Sequence, residues 1–489
     1  MTVIQIPLKE KAKPRVQDER GDTFELERLA SGGQGIVCKT QYPHILVKLC
    51  KKDMPEKDQQ AWLRQIRWVK RQPITDLQFA LPRTMIEQHG YHGYTLELMD
   101  GLMPLDELLK QVQEAAQDLD SLLGIYKQTG GLKRRFEILA TLARQLLKLH
   151  GKGLCFVDLS PANVFISRQS PYSAVWLIDC DNISATLQTR INLYTPGYGA
   201  PEVVRGECGA HIGSDLWSFA VLAFELLTLA HPFKGDMVSE GEIELEDQAL
   251  RGEHPWIDHP DNDANRCSSS ALPRQFLTKR LQALFEQTFN AGLNEPGLRP
   301  DMHDWLSAFE EACQQGVTCE STDCGQWFLA KSTQCSWCDY LQTRTIFTLT
   351  HYLFDPEIAQ QYPEHYKVGL SGTVLILVDQ PIELREAPLG TTLYQESNPL
   401  LTLEIDEQRQ NVLLLLNKTR IPADFSLIRT RAEAEPLPIP NSKKLSFANI
   451  EQNGPFYLHL IRREDSSDPA LVRHDLWELS KFGHRGNRS

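Results

Sequence analysis

The chain has 489 residues, of which 41% are hydrophobic and 24% are charged, and its formal net charge is −13 at pH 7. This length predicts two or three domains rather than one core. The acidic balance argues against a general electrostatic grip on nucleic acid or on an anionic membrane, so we expect neither as a partner. The first residues lack an apolar core of signal-peptide length, and the longest apolar run, 216–230, is broken by Glu225. That run predicts a buried helix rather than a membrane span, and we expect a cytoplasmic protein.

The pattern of apolar and turn-forming residues changes along the chain and predicts an α+β fold. A polar lead-in is followed by short strands joined by Gly-rich turns, and then by a long region with apolar residues at helical spacing. Five of the eleven cysteines crowd together after this region, and short strands follow them. The predicted segments are an N-terminal extension (1–21), a strand-rich unit (22–99), a helical unit (100–312), a cysteine-rich segment (313–342) and a β-rich C-terminal domain (343–489).

Two short stretches carry residues suited to one kind of chemistry. The stretch VDLSPANVFIS places Asp158 and Asn163 on one tight loop, and WLIDCDN puts Asp179 directly after an apolar run. Phosphoryl transfer from Mg-ATP requires a base, an amide oxygen and a carboxylate held close together. The reaction depends on in-line positioning and on metal ions that neutralise the phosphates. The alternative is a pair of ordinary Asp-bearing turns, which the spacing and the flanking apolar residues disfavour.

A glycine-rich loop and a strand lysine precede these stretches. The loop ASGGQGIV contains Gly32 and Gly35, and glycine lets backbone N–H groups approach phosphates closely. By itself this loop would be interpreted as an ordinary hairpin turn. Lys48, in HILVKLC, follows it between apolar neighbours, which favours a charge that faces a ligand over a solvated one.

Taken in chain order, these motifs resemble those of the eukaryotic-like Ser/Thr protein kinases, over roughly residues 22–312. The resemblance implies a two-lobed protein-kinase-like fold, with ATP and Mg²⁺ as cofactors. It implies that Asp158 accepts the proton of the substrate hydroxyl and that Asn163 and Asp179 bind Mg²⁺. It assigns catalysis to Asp158, Lys48, Asn163 and Asp179, and nucleotide binding to Ala30, Gly32, Gly33, Gly35, Val37, Lys48, Glu97 and Met99.

Three later motifs extend the resemblance and narrow the class of substrate. TPGYGAPE matches the end of the family's activation segment, SDLWSF places Asp215 on the helix that anchors the catalytic loop, and GLRPDMHDW supplies Arg299 as the expected partner of Glu202. Aminoglycoside- and choline-kinase-like enzymes share D-x-x-x-x-N and I-D-x-D but generally lack this set. A protein kinase is therefore favoured, and a small-molecule phosphotransferase is kept as an alternative.

The chain also departs from the family pattern around the catalytic loop. Val157 stands where these kinases usually carry the Arg that clamps a phosphorylated activation loop, and Ser160 stands where they usually carry Lys. We therefore predict activity that does not depend on activation-loop phosphorylation. The missing Lys predicts slower transfer or another cation in its place.

A further departure concerns the acid that usually pairs with the strand lysine. The helix after Lys48 has no obvious Glu at the expected depth, since Glu56 comes too early. The metal-binding motif is Asp179-Cys180-Asp181 rather than D-F-G, and Asp181 is either a further metal ligand or a solvated loop acid. The missing Glu keeps open a pseudokinase, a nucleotide-binding scaffold that regulates a partner.

The cysteine-rich segment has the spacing of a metal site. Two close pairs, Cys319-x4-Cys324 and Cys335-x2-Cys338, are separated by a short stretch and resemble a zinc ribbon. Four thiolates suit structural Zn²⁺, whose binding can supply folding energy that a short segment lacks. Cys313 is a possible substitute ligand, and unligated thiols are the alternative.

The β-rich tail and the partners are the least determined parts. The tail predicts a small sandwich or barrel, and it either docks a partner or covers the large lobe. Protein substrates are expected. The chain further resembles bacterial kinases with DLSPxNV and D-C-D motifs and a PWIDHPDN-like segment, here near 255–262. That resemblance implies a metal-dependent protein phosphatase and a von Willebrand A-domain protein as partners.

Overall fold

The structure is a computed structural model that describes most of the chain as two compact units. The first unit contains the described residues of Met1–Lys110, Lys148–Leu222 and Leu250–Gly252, and the second contains those of Gln111–Leu147, Ala223–Ala249 and Glu253–Ser489. Among the described residues, no helix is both long and apolar enough to cross a membrane. The described residues are 13–31, 35–51, 53–88, 90–97, 100–116, 118–186, 192–268, 272, 276–330, 334–343, 346–353, 369–377, 381–406, 408, 411–418, 425–428, 437–438, 442–448, 456–463 and 472–481.

The first part of the chain is strand-rich, as predicted. Its elements are β1 (Arg15–Gln17), β2 (Thr23–Glu25), β3 (Glu27–Ser31), β4 (Gly35–Lys39), β5 (Ile45–Cys50), α1 (Glu56–Val69), β6 (Met85–Gln88), β7 (Tyr91–Glu97) and β8 (Leu102–Pro104). Five strands form an antiparallel sheet in the order β3-β4-β5-β7-β6. Helix α1 packs on this sheet because its apolar residues recur at helical spacing, and Leu63 and Ile66 share a buried cluster with Leu46 and Tyr94.

The middle of the chain is mainly helical. Its elements are α2 (Leu105–Ala115), α3 (Leu119–Gln128), α4 (Gly131–His150), β9 (Leu154–Cys155), β10 (Val164–Ser167), β11 (Val175–Leu177), β12 (Ser184–Ala185), α5 (Pro201–Val204), α6 (Ile212–Thr228), α7 (Asp236–Ser239), α8 (Ile243–Leu250), α9 (Lys279–Glu286), α10 (Gly292–Asn294) and α11 (Met302–Cys313). Strand β10 lies between β11 and β8, and β9 pairs with β12. Most of α6 is buried, including Phe219, Leu222 and Phe224, which confirms the buried helix predicted from the apolar run.

The last part of the chain is built from strands. These are β13 (Gly316–Thr318), β14 (Trp327–Leu329), β15 (Phe347–Leu353), β16 (Gly369–Leu377), β17 (Ile382–Arg385), β18 (Pro399–Ile405), β19 (Val412–Asn417), β20 (Phe425–Ile428), β21 (Leu437–Pro438), β22 (Ser442–Ser446), β23 (Phe456–Arg463) and β24 (Val472–Lys481). They include a six-stranded sheet, β16-β15-β24-β23-β20-β21, and a four-stranded sheet, β17-β18-β19-β22. One buried cluster takes Phe347 and Leu458 from the first sheet and Leu403 and Leu413 from the second, so the two sheets share a core. The predicted α+β class is confirmed.

A polar contact in the second unit joins the tail to helix α11. Glu310 is buried in this helix, and its carboxylate accepts hydrogen bonds from the Arg144 guanidinium and, at 2.7 Å, from the backbone N–H of Gly390. Burial raises the pKa of Glu310. Gly390 has a φ of 85°, and a Cβ atom there would lie 2.7 Å from the Cβ of Ser307. Only glycine can adopt this backbone conformation so close to Ser307 without strain. The loop before β18 therefore packs directly on α11.

Candidate active site and cysteine centre

Asp158, Asn163 and Asp179 come together through one short antiparallel pair of strands. The loop that bears Asp158 and Asn163 leads into β10, which pairs with β11. The backbone N–H of Ile178 donates to the carbonyl oxygen of Asn163 at 3.0 Å, and this places Asp179 beside Asn163. The Asn163 side-chain amide donates to the carbonyl oxygen of Asp158 at 2.9 Å. The spacing in the sequence therefore corresponds to one compact set of oxygen groups.

The backbone before Asp158 is held in an unusual conformation by a buried acid. Val157 has a φ of 84°, a region that β-branched residues rarely adopt. The carboxylate of Asp215, in α6, accepts hydrogen bonds from the N–H groups of Phe156 at 2.6 Å and Val157 at 3.0 Å. His150 contacts the same carboxylate at 3.0 Å. Asp215 thus anchors the loop that bears Asp158, the position that its motif implied.

Asp158 has a neighbour that the sequence did not single out as its partner. The hydroxyl of Thr195 donates to the Asp158 carboxylate at 2.7 Å. Burial raises the pKa of Asp158, and the hydrogen bond from Thr195 partly opposes this. Ser160, on the same loop, is buried. The TPGYGAPE motif marked Thr195 only as part of the activation segment.

The end of that segment is also buried. Helix α5 begins at Pro201, and Glu202 lies 3.2 Å from the Nε2 atom of His211. Arg299 is buried as well, and its Nε donates to the carbonyl oxygen of Gly292 at 2.8 Å. The ion pair expected between Glu202 and Arg299 stays a prediction.

Lys48 lies in β5 and points at the acids of the D-C-D stretch. Its ammonium group is 3.2 Å from Asp179 Oδ1 and 2.9 Å from Asp181 Oδ1. Burial alone would lower the pKa of Lys48, but the charges of Asp181 and Asp179 outweigh burial and raise it. Lys48 is therefore a buried, charged group next to the proposed metal ligands.

Asp181 is neither solvated nor free, so the interpretation of it as a solvated loop acid is wrong. It lies in a short 3₁₀ helix, Cys180–Asn182, and its side chain is fully buried. Besides Lys48, it accepts a hydrogen bond from Trp62 Nε1 at 2.8 Å. Trp62 belongs to α1, the helix in which a Glu was expected. The sequence departs from the family pattern twice, by the extra Asp181 and by the missing Glu of α1. Considered together, these two departures could have predicted that Asp181 pairs with Lys48.

The strands that flank the glycine-rich loop form an antiparallel pair. Ala30 of β3 pairs with Val37 of β4. A Cβ atom on Gly35 would lie 2.6 Å from the carbonyl oxygen of Leu49, so this glycine permits a close approach of two strands. Glu97 ends β7 and pairs with the Arg83 guanidinium. Three further predicted nucleotide-binding residues lie outside the described residues: Gly32, Gly33 and Met99.

Four cysteines gather after α11. The Sγ atoms of Cys319, Cys324, Cys335 and Cys338 all lie within 4.8 Å of one another. Two of the separations are 3.6 Å, between Cys319 and Cys338, and 3.9 Å, between Cys324 and Cys335. Tetrahedral Zn²⁺ with bonds of about 2.3 Å separates its sulfur ligands by roughly 3.8 Å. These four thiols therefore fit zinc, whereas Cys313 ends α11 and lies outside the group.

Aromatic side chains connect this cysteine group to the helices of the second unit. Trp337 comes between Cys335 and Cys338 in the sequence. The centroid of its ring is 4.6 Å from that of Phe276 and 4.8 Å from that of Tyr126. Lys127 Nζ donates to the carbonyl oxygen of Cys324 at 2.8 Å. The cysteine segment therefore packs directly against helix α3, which carries Tyr126 and Lys127.

Comparison with known proteins gives the class of the middle region. Residues 93–290 match the family described as Protein kinase domain, and the match includes Asp158, Asn163 and Asp179 but begins after Lys48. The chain is similar to Serine/threonine-protein kinase pkn2 of Myxococcus xanthus, with 34% identity over 112 residues, 21% of this chain and 13% of that protein. It is similar to DNA damage-responsive serine/threonine-protein kinase RqkA of Deinococcus radiodurans, with 24% identity over 268 residues, 52% of this chain and 35% of that protein.

A third relative is Calcium/calmodulin-dependent protein kinase type IV of Mus musculus, with 27% identity over 227 residues, 44% of this chain and 43% of that protein. The chain spans less than half the length of each of these relatives. Together with the site geometry, these matches define a protein kinase domain. Two of these relatives are named as Ser/Thr protein kinases, and in this chain a four-cysteine group follows the kinase domain.

Activity is expected to persist after treatment with a protein phosphatase. Val157 replaces the Arg that would bind a phosphorylated activation loop, and Thr195 already donates a hydrogen bond to Asp158. Thr186 accepts one from the backbone N–H of Ile212 at 3.1 Å. The measurement is the transfer rate before and after dephosphorylation verified by mass spectrometry. A rate that falls to background and returns after rephosphorylation would contradict the prediction. Thr189 lies outside the described residues.

Proposed function

We propose that the chain is an ATP- and Mg²⁺-dependent kinase that phosphorylates Ser and Thr hydroxyls of proteins in a bacterial signalling system. The observation that carries the proposal is the grouping of Asp158, Asn163 and Asp179 with the buried ammonium group of Lys48. This group offers a base, hard oxygen ligands and a cation, the parts that phosphoryl transfer uses. The kinase domain found by comparison supports the reaction class.

Each residue has a distinct role in the proposed reaction. Asp158 accepts the proton of the attacking hydroxyl, while its hydrogen bond to Thr195 holds the carboxylate in place. The side-chain oxygens of Asn163 and Asp179 are the type of ligand that Mg²⁺ prefers. Lys48 contacts the phosphates, together with backbone N–H groups of the loop that begins after Ala30. Gly35 and Val37 belong to the same loop, and Glu97 and Met99 to the nucleotide site.

We propose the domain organisation that the motifs imply. An extension (1–21) precedes a kinase domain (22–312), and a zinc-ribbon-like segment (313–342) and a β-rich domain (343–489) follow it. The zinc ribbon is supported by the separations of the four Sγ atoms, which match a tetrahedral site. In this segment Zn²⁺ has a structural role, because all four positions around it are taken by thiolates.

The proposed partners follow from the substrate class and from the resemblance to bacterial kinases. A protein kinase acts on protein substrates. The DLSPxNV and D-C-D motifs and the PWIDHPDN-like segment near 255–262 resemble those of bacterial kinases that often accompany a metal-dependent protein phosphatase and a von Willebrand A-domain protein. Co-purification of the chain with these two kinds of protein tests the partnership.

A transfer assay with two kinds of acceptor separates the proposal from its alternatives. The full chain is incubated with Mg-ATP labelled at the γ-phosphate and with either a protein mixture or free aminoglycosides. We expect label on protein Ser and Thr, and none with Asp158→Asn. Label on aminoglycosides alone would support a small-molecule kinase. Binding of Mg-ATP without transfer to either acceptor would support a nucleotide-binding scaffold.

A further inference from the structure

The ion pair of Lys48 is made with the metal-binding loop and not with helix α1. Lys48 Nζ lies 2.9 Å from Asp181 Oδ1 and 3.1 Å from Asp181 Oδ2, so the carboxylate contacts the ammonium through both oxygens. Helix α1 has acids in its first turn, Glu56 and Asp58. Within the described residues, the carboxylates in ion-pair contact with Lys48 belong to the D-C-D stretch.

The two acids of this stretch differ in their access to solvent. The side chain of Asp179 is 37% exposed, whereas that of Asp181 is 0% exposed. A hydrated Mg²⁺ with its nucleotide approaches from the open side of a site, because the ion retains several water ligands. Asp179 is therefore available to a metal ion, and Asp181 is available only to its protein neighbours.

Those neighbours are arranged to hold a buried carboxylate. Trp62 Nε1 donates to Asp181 Oδ2 at 2.8 Å. Burial, together with the nearby charge of Asp181, raises the pKa of the Tyr94 hydroxyl. Trp62 is in α1 and Tyr94 is in β7, and the centroids of their rings lie 5.9 Å apart. A buried charge needs a counter-ion and hydrogen bonds to offset its desolvation. Asp181 has both, so its position is fixed by Lys48 of β5 and Trp62 of α1.

We propose that Asp181 is a positioning residue that takes the place of the missing helix Glu and holds Lys48 toward the nucleotide phosphates. This inference rests on the proposed kinase function. Lys48 and its carboxylate partner then belong to the sheet and to the metal loop, and the described contacts of α1 with that loop are hydrogen bonds from neutral side chains. One contact is the Trp62 hydrogen bond, and the other is from Gln65 Nε2 to the carbonyl oxygen of Ile183 at 2.7 Å.

The first test compares Asp181→Asn with Asp179→Asn. Asparagine keeps the shape of Asp181 and removes the charge, and the loss of a charged hydrogen bond lowers kcat/KM for ATP by roughly 10-fold to 100-fold. We expect most of this loss in the KM for ATP, with the Mg²⁺ concentration for half-maximal rate unchanged. In Asp179→Asn the Mg²⁺ requirement rises. An Asp181→Asn enzyme with wild-type KM for ATP, or one with a raised Mg²⁺ requirement, would overturn the inference.

The second test moves the carboxylate to the helix. Asp181→Gly restores the glycine that kinases usually carry at this point, and Trp62→Glu places an acid on α1 where the side chain already reaches this position. The kcat/KM of the double variant is expected to be at least tenfold higher than that of Asp181→Gly alone. A purely structural role of Asp181 would not explain such a recovery. Equal activity of the single and double variants would count against the inference. Trp62→Phe removes one hydrogen bond to Asp181 but leaves the Lys48–Asp181 ion pair, so it is expected to lower kcat/KM less than Asp181→Asn does.

Nucleotide affinity separates a failure of this inference from a failure of the proposed function. The dissociation constant for Mg-ATP is measured by calorimetry on the full-length wild type and on Asp181→Asn, with thermal melting to confirm that both are folded. A wild type that binds Mg-ATP but transfers no phosphate refutes the kinase function, yet a weaker affinity of the variant still supports the role of Asp181. Equal affinities in two folded proteins refute that role.

Discussion

Replacing Asp158 with Asn is expected to lower kcat by roughly 10²-fold to 10⁴-fold, the usual contribution of a positioned acid–base group. The KM for ATP is expected to change little, because Asp158 faces the acceptor hydroxyl and not the nucleotide. The substitution keeps a group that can still accept a hydrogen bond from Thr195. Steady-state kinetics with a protein acceptor provides the measurement. A variant with wild-type kcat would show that Asp158 is not the base.

The pH dependence of the wild type gives an independent signature of the same residue. Asp158 must be ionised to accept a proton, and burial raises its pKa above that of an exposed aspartate. As pH falls, kcat/KM is therefore expected to decline at a higher pH than an exposed carboxylate would give. A matched control is Asp301→Asn, because Asp301 caps α11 and Asn caps equally well. This control is expected to retain the wild-type rate and pH profile.

Removal of zinc is expected to unfold the cysteine segment and the part of the helical region that packs on it. Structural zinc contributes on the order of 10 kcal/mol to small cysteine-rich domains, which is comparable with the whole free energy of unfolding of a typical domain, about 5–15 kcal/mol. Without the metal, the backbone around Trp337 is no longer held where its ring packs against Phe276 and Tyr126. Chelation, or Cys335→Ser, is expected to lower the melting temperature and to increase hydrogen exchange across 316–343.

The control for the zinc prediction is Cys313→Ser. Cys313 lies at the end of α11, outside the group of four thiols, so this variant is expected to retain one zinc per chain by elemental analysis. Cys335→Ser is expected to lose it. Wild-type protein purified without chelator that contains no zinc would contradict the proposed ribbon, as would a melting temperature that chelation leaves unchanged.

The sequence predicted contacts between residues that are close along the chain. Asp158, Asn163 and Asp179 are brought together by one pair of adjacent strands, so their spacing and the flanking apolar residues sufficed. The cysteine pairs were predictable for the same reason, since metal-ligand spacing is local. The α+β class followed from the change in apolar periodicity along the chain.

Contacts between distant segments were not predictable from these patterns. Lys48 and Asp181 are 133 positions apart, and their pairing depends on how the loop after β11 packs against strand β5. The sequence showed a missing helix Glu and an extra loop Asp as two separate anomalies. In the structure the extra Asp supplies the carboxylate that the missing Glu would have given. A buried lysine requires such a carboxylate from a neighbouring element. The contact between the rings of Trp337 and Tyr126 was missed for the same reason.

The central claim is that this site transfers phosphate to protein hydroxyls despite its departures from the kinase pattern. The most direct measurement is mass-spectrometric mapping of phosphorylated residues in a protein mixture treated with Mg-ATP and either the wild-type chain or Asp158→Asn. The account predicts phosphoserine and phosphothreonine sites that arise with the wild type and are absent with the variant. Identical site maps from the two proteins, with Mg-ATP binding intact in both, would contradict it.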